Sequence, residues 1–235
     1  MVKELNKWRQ DERVIVYIDE THFDFRKNWG KGKAPAGSKA LCTGKLSFVS
    51  MSAITSITNN GPGLCHIHIK ETINTARFQE FFDELLIRHG DQECCFFLDN
   101  AAVHRKEDVI EAAARRNQAV LFNAPYSSEM NPIENFFGTW KGKIMDKITS
   151  VKTTQDLTNL VRDSFLSISA GLCQRTIHHM VVMLNQIFWI ARISNGTNYE
   201  NGVCDVVIAK SLFFVNIFVE CLEFVSDERG KRGNA

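Results

Sequence analysis

Three acidic residues stand where their side chains could share one task. Asp19 follows the apolar run "VIVYI" (14–18), and Asp99 follows "CCFFL" (94–98). Glu134 falls in the first turn of a helical pattern that comes after "AVLF" (119–122). Short continuous apolar runs read as buried strands covered on both faces. In open α/β sheets, ligands gather at the carboxyl ends of the strands. Three carboxylates on one rim repel one another unless a cation sits among them. Hard divalent cations such as Mg²⁺ take oxygen ligands, using a few carboxylates plus waters and substrate phosphates. Two such ions, about 3.5–4 Å apart, suit phosphoryl transfer by clamping the attacking and leaving oxygens.

Each acid, taken singly, also has an ordinary local role. Asp19 could cap the turn "DETHF", and Asp99 could form an Asx turn or N-cap in "DNAAVH". Glu134 lies three residues after Asn131 in "NPIEN", with Pro132 at the first helical position, an Asn version of the capping box. A side chain folded back onto Asn131 cannot also ligate a metal, so the direction of Glu134 discriminates. The helix N-terminus favours its ionised form. Ile133, Phe137 and Trp140 would anchor the helix on the sheet, with Glu134 one step round and Gly138 leaving room beside it. The expectation is that Glu134 points to the aspartates.

The elements that must position these residues are legible in outline. "KLSFVSMSAIT" (45–55) and "LCHIHIK" (64–70) alternate partly and flank Gly61, Pro62 and Gly63, which suggests a hairpin with one exposed face. Helical spacing marks 74–90, closed by Gly90, then 106–117, 131–148, 153–169 and 172–192. An antiparallel hairpin followed by strand–helix–strand–helix gives an α/β fold, a mixed sheet with helices packed on it. The organisation read from this is an extension over 1–12, a domain over 13–192 and a tail over 193–235.

Composition sets limits. A net charge of +1 makes no global electrostatic claim on nucleic acid, so any such claim rests on local patches. Seven cysteines, irregularly spaced and without C-x-x-C, read as reduced thiols of the cytosol or nucleus and not as a disulfide frame. The N-terminus is too charged for a signal peptide, and the late apolar run "LFFVNIFVECLEFV" (212–225) is too short and too acidic for a membrane span.

"VIVYIDETHFDF", "CFFLDNAAVHR" and "LFNAPYSSEMNPIENFFGTWK", in this order, resemble the catalytic blocks of Tc1/mariner-type transposases, DDE superfamily endonucleases with an RNase H-like fold. The resemblance covers roughly 13 to 183, and 34 residues lie between Asp99 and Glu134, the spacing of the DD34E subgroup. It implies an RNase H-like mixed sheet with helices on both faces and extra C-terminal helices. It also implies Asp19, Asp99 and Glu134 as the catalytic, metal-binding triad, two Mg²⁺ or Mn²⁺ ions, DNA cleavage and strand transfer, and a nuclear protein, otherwise cytoplasmic. Asn100, His104, Tyr126, Ser127, Asn131, Pro132 and Asn135 match the family's flanking motifs. Of these, His104, Tyr126 and Asn131 are candidate DNA contacts, with Lys141. Lys33 in "GKGKAPAG" and Ser128 depart from the family pattern.

The segment 26–45 carries Arg26, Lys27, Lys31, Lys33, Lys39 and Lys45 with no acid. A basic loop beside a metal site can hold a phosphate backbone, and Trp29 could stack on a base; a solvated loop is the plain alternative. His66 and His68 share a strand face that could bind a metal or simply be exposed. Family members usually carry helix-turn-helix domains before the catalytic domain. Only 18 residues precede Asp19, so end recognition is expected elsewhere, with a second copy or a full-length transposase chain as possible partner. The competing expectation is a transposon-derived protein that binds DNA or a partner without catalysis.

Overall fold

The computed structural model describes residues 5, 7–9, 13–25, 36, 50–123, 127–148 and 151–194. By contacts, the chain divides into units Met1–Met180 and Val181–Ala235. The first is built on a five-stranded sheet in the order β3-β2-β1-β4-β5. Its strands are β1 (Val14–Asp24), β2 (Ser50–Thr58), β3 (Gly61–Ile69), β4 (Cys94–Leu98) and β5 (Ala119–Phe122). β1 runs antiparallel to β2 and parallel to β4, and β4 runs parallel to β5. The sheet is therefore mixed, as expected.

The helices are α1 (Thr75–His89), α2 (Lys106–Ala114), α3 (Ile133–Lys147), α4 (Thr154–Leu166) and α5 (Ala170–Ser194). Local chemistry sets their ends. Asn74 caps α1 by accepting from the Arg77 amide at 3.0 Å, and Gly90 stops it with a positive φ of 54°. Thr153 and Asp156 form a reciprocal capping box on α4. Strand alternation sends Val16 and Ile18 to one face, into a core with Phe78, Phe82 and Leu85 of α1 and Val109 and Ala113 of α2. Phe23 points to the other face, where its ring meets Trp140 of α3 edge-on at 4.9 Å. Helices thus cover both faces. Trp140 is fully buried, and its indole donates to the Val161 carbonyl at 3.0 Å, fixing α4 against α3.

Three expectations need correction. The hairpin turns at Asn59–Asn60, and Gly61, Pro62 and Gly63 belong to β3, with Pro62 opposite Ile57. Gly61 accepts the φ of 124° that follows so tight a turn, and Pro62 is tolerated because β3 is an edge strand. β2 is buried on both sides and has no exposed face, because β1 and β3 flank it and helices cover the sheet. β5, read as central, is the opposite edge and only half-buried. The expected start of β2 at 45–49 and the tail from 195 lie outside the described residues. No described helix is long and apolar enough to cross a membrane.

Candidate active site

Asp19 does not follow β1; it sits in the middle of it, because the strand continues through "DETHFD" to Asp24 along β2. The pairing with β4 is shorter. It runs from Val14 opposite Cys94 to Tyr17 opposite Phe97. Carried two residues past its last pair, that register leads from Asp19 toward Asp99, which lies just past the end of β4. Asp99 emerges where β4 ends. The loop from β5 to α3 is tied to the same rim. The Asn123 amide donates to the Leu98 carbonyl at 2.7 Å, its side chain donates to the Ser127 carbonyl at 2.6 Å, and Asn100 donates to the Asn123 carbonyl.

Asn131 then joins the helix start to β1. Its side-chain amide donates to Asp19 Oδ2 at 3.2 Å and to the Ile18 carbonyl at 3.4 Å, while its Oδ1 accepts from the Ile133 amide at 3.4 Å. The reciprocal half of the capping box is absent for a physical reason. The Asn131 amide already donates to the Ser128 carbonyl at 2.8 Å, so no donor is left there for Glu134. The Glu134 carboxylate is exposed at the first turn of α3. It stands in the same field as the aspartates.

The charges of the three carboxylates are coupled. Burial pushes the Asp19 carboxyl up to about 8, helped by the charges of Glu20, Asp99 and Glu134 and opposed by the Glu20 amide, which donates to its Oδ1 at 2.8 Å. Partial burial raises Glu134, against the pull of the Lys141 ammonium and with the push of Asp99. Asp99 is lowered. Burial alone would raise it, but hydrogen bonds from His104 and the Ala101 amide, with the imidazolium charge, prevail. Asp19 is acted on only by acidic charges, while Asp99 has His104 and Glu134 has Lys141 nearby; as three oxygen donors, the carboxylates fit a hard divalent ion in chemistry. No three His, Cys, Asp or Glu side chains among the described residues are gathered tightly enough to hold one as they stand.

His104 and Asn131 differ from the expectation of DNA contact: both are buried, at 1 % exposure each, and spend their polar atoms on internal partners. His104 bridges Asp99 Oδ1 and Glu20 Oε1, each at 3.0 Å. Burial would lower its pKa, yet the hydrogen bonds and charges of Asp99 and Glu20 raise it to about 10. Glu20 was not singled out in the sequence. The signal was its place beside Asp19 in a strand, which sends it to the opposite face. Lys141 is half-buried two turns beyond Glu134, with its ammonium 5.7 Å from the Phe23 ring centre. It lines a cavity of about 250 Å³ with His22, Phe23, Asp24, Phe25, Ile144 and Met145. Arg26, Lys27, Trp29, Lys31, Lys33 and Tyr126 lie outside the described residues. His66 pairs with Glu84 at 2.8 Å and forms no metal cluster among the described residues.

Comparison with known proteins bears on the fold and the family. No match was found among curated proteins. Among solved structures, the Mos1 mariner paired-end complex with Mn superposes with a TM-score of 0.61 at 19 % identity, over 79 % of this chain and 59 % of that one. The Mos1 transposase catalytic domain with raltegravir and Mg gives 0.56 at 16 % identity, over 85 % of this chain and 93 % of that one. The chain therefore spans less than two thirds of the transposase chain in the paired-end complex and nearly all of the isolated catalytic domain. These likenesses establish the RNase H-like fold with added C-terminal helices. The family model described as DDE superfamily endonuclease matches residues 14–158, a stretch that contains Asp19, Asp99 and Glu134. The chain belongs to the DDE superfamily endonucleases.

Proposed function

We propose that this chain is the catalytic domain of a Tc1/mariner-type DNA transposase, with Asp19, Asp99 and Glu134 holding two Mg²⁺ or Mn²⁺ ions for strand cleavage and strand transfer. The observation that carries this is the shared field of the three carboxylates, with Asp19 pushed up to about 8 by burial first and then by the charges of its acidic neighbours, Asp99 and Glu134 among them. Bound divalent ions would supply the Lewis acidity of phosphoryl transfer. The chain's own residues do the positioning. The β1–β4 register leads from Asp19 toward Asp99, and Asn131 ties the Glu134 helix to Asp19. Lys141, beside Glu134, and the basic segment 26–45 are proposed to hold the DNA backbone. A second copy of the chain or a full-length transposase chain is the proposed protein partner.

The test is nicking of supercoiled plasmid with Mg²⁺, Mn²⁺ or EDTA. Wild-type protein is expected to nick only with the metals, and Asp99→Asn is expected to lose at least 100-fold. Metal-dependent nicking that survives in Asp99→Asn removes the assignment. DNA binding equal in both proteins, with nicking in neither, selects the non-catalytic reading.

A further inference from the structure

The sheet divides two adjacent acids between two jobs. Asp19 faces α3 and Asn131; Glu20, the next residue of β1, faces the opposite side and meets His104. His104 sits in a short 3-10 turn, Ala102–His104, that follows Asp99 and leads into α2. Its side chain has no exposed surface, and its ring lies against Phe78 of α1 with centroids 4.3 Å apart. Nε2 meets Glu20 Oε1 at 3.0 Å, and Nδ1 lies 3.0 Å from Asp99 Oδ1 and 3.3 Å from the Asp99 carbonyl oxygen. Asp99 Oδ1 also accepts the Ala101 amide at 2.8 Å. One oxygen of Asp99 thus takes the Ala101 amide and stands against the imidazole, while Oδ2 has no hydrogen bond among the described residues.

We propose that Glu20 and His104 form a positioning brace for Asp99: His104 pins one carboxylate oxygen and turns the other outward for a divalent cation, and Glu20 steadies the imidazole from behind. The brace rests on the functional reading above, since it acts on a residue given a metal-holding role there. Glu20 is assigned no ligand role, because its Oε1 is engaged by His104 Nε2 at 3.0 Å. Partners that orient metal-binding carboxylates are typically worth about 10- to 100-fold in metal affinity. His104 is a positioning residue and touches no substrate.

Amide side chains separate the two ends of the imidazole. An Asn nitrogen takes the place of Nδ1, and a Gln nitrogen reaches the place of Nε2. His104→Asn therefore keeps the hold on Asp99, and His104→Gln keeps only the link to Glu20. Mn²⁺ is titrated calorimetrically into metal-free full chain, with near-UV circular dichroism to confirm folding. His104→Asn is expected to bind within about 3-fold of wild type, and His104→Gln about 10- to 100-fold more weakly. Glu20→Ala is expected to weaken binding by less than His104→Gln. Equal affinity in the Asn and Gln variants overturns the brace, and wild-type affinity in Glu20→Ala removes Glu20 from it. Absence of Mn²⁺ binding in folded wild type overturns the metal-site reading, and the positioning role falls with it.

Discussion

Replacing Asp19 with Asn should make the metal-free protein more stable, by a margin that grows from about pH 5 to about pH 8. The Asp19 carboxyl is buried and held near 8, against about 3.9 in an unfolded chain. Below about pH 4 it is protonated in both states and imposes no penalty. As pH rises, the unfolded chain releases this proton and the folded chain keeps it, so folding loses about 1.4 kcal/mol per pH unit from this group. The loss ends near pH 8, at roughly 5 kcal/mol, once the folded form ionises too. Asn retains the acceptor for the Glu20 amide but turns an NH₂ toward the Asn131 donor, forfeiting a hydrogen bond worth about 1 kcal/mol. The net expectation is about 4 kcal/mol in favour of Asp19→Asn at about pH 8.5, or roughly 10 °C in Tm, and near parity at about pH 4. Thermal unfolding in EDTA across that range measures it. Mg²⁺ should then stabilise wild type and leave the variant unmoved. A stability difference that does not change between about pH 5 and 8.5 would refute the account of Asp19 as a buried, cation-starved carboxylate.

Asn131→Ala removes two bonds to β1 and the contact to the Ile133 amide; a loss of about 2–3 kcal/mol in urea unfolding is expected, with weaker nicking because Asp19 and the Glu134 helix are no longer tied. Trp140→Ala empties the fully buried junction of Phe23, Phe165 and Val161 and should cost about 3–5 kcal/mol, read by the same unfolding curves; a loss below about 1 kcal/mol would contradict its place in the core.

The parts of this fold with local causes were legible in the sequence. Helix α1 is announced by Asn74 and Gly90, and α4 by Thr153 with Asp156, because caps are made by neighbours a few residues apart. Pairing is a long-range property and was read less well. Nothing local says that β5 is an edge or that β1 runs on to Asp24, since both depend on which strand lies alongside. The acids themselves were found because apolar runs stop beside them. His104 and Asn131 were singled out too, but as DNA contacts: their buried role was not legible, because only the meeting of β1 with elements about 80 to 110 residues away buries them. The capping box, the alternative for Glu134, is closed by a competition invisible in sequence, the Ser128 carbonyl taking the Asn131 amide.

The ladder between β1 and β2 runs without interruption from Tyr17 opposite Ile57 to Asp24 opposite Ser50. Because side chains alternate with a period of two, a slip of one residue would exchange the two faces wholesale. A slip one way would set Glu20 before Asn131 and Thr21 before His104; a slip the other way would set Ile18 before Asn131 and Asp19, one methylene shorter than Glu20, before His104. Either way one of the two sites loses its acid. Register fidelity in this one strand is therefore a condition of the chemistry as well as of the fold, and sequence changes in β2 far from any carboxylate could silence the site by relaxing it.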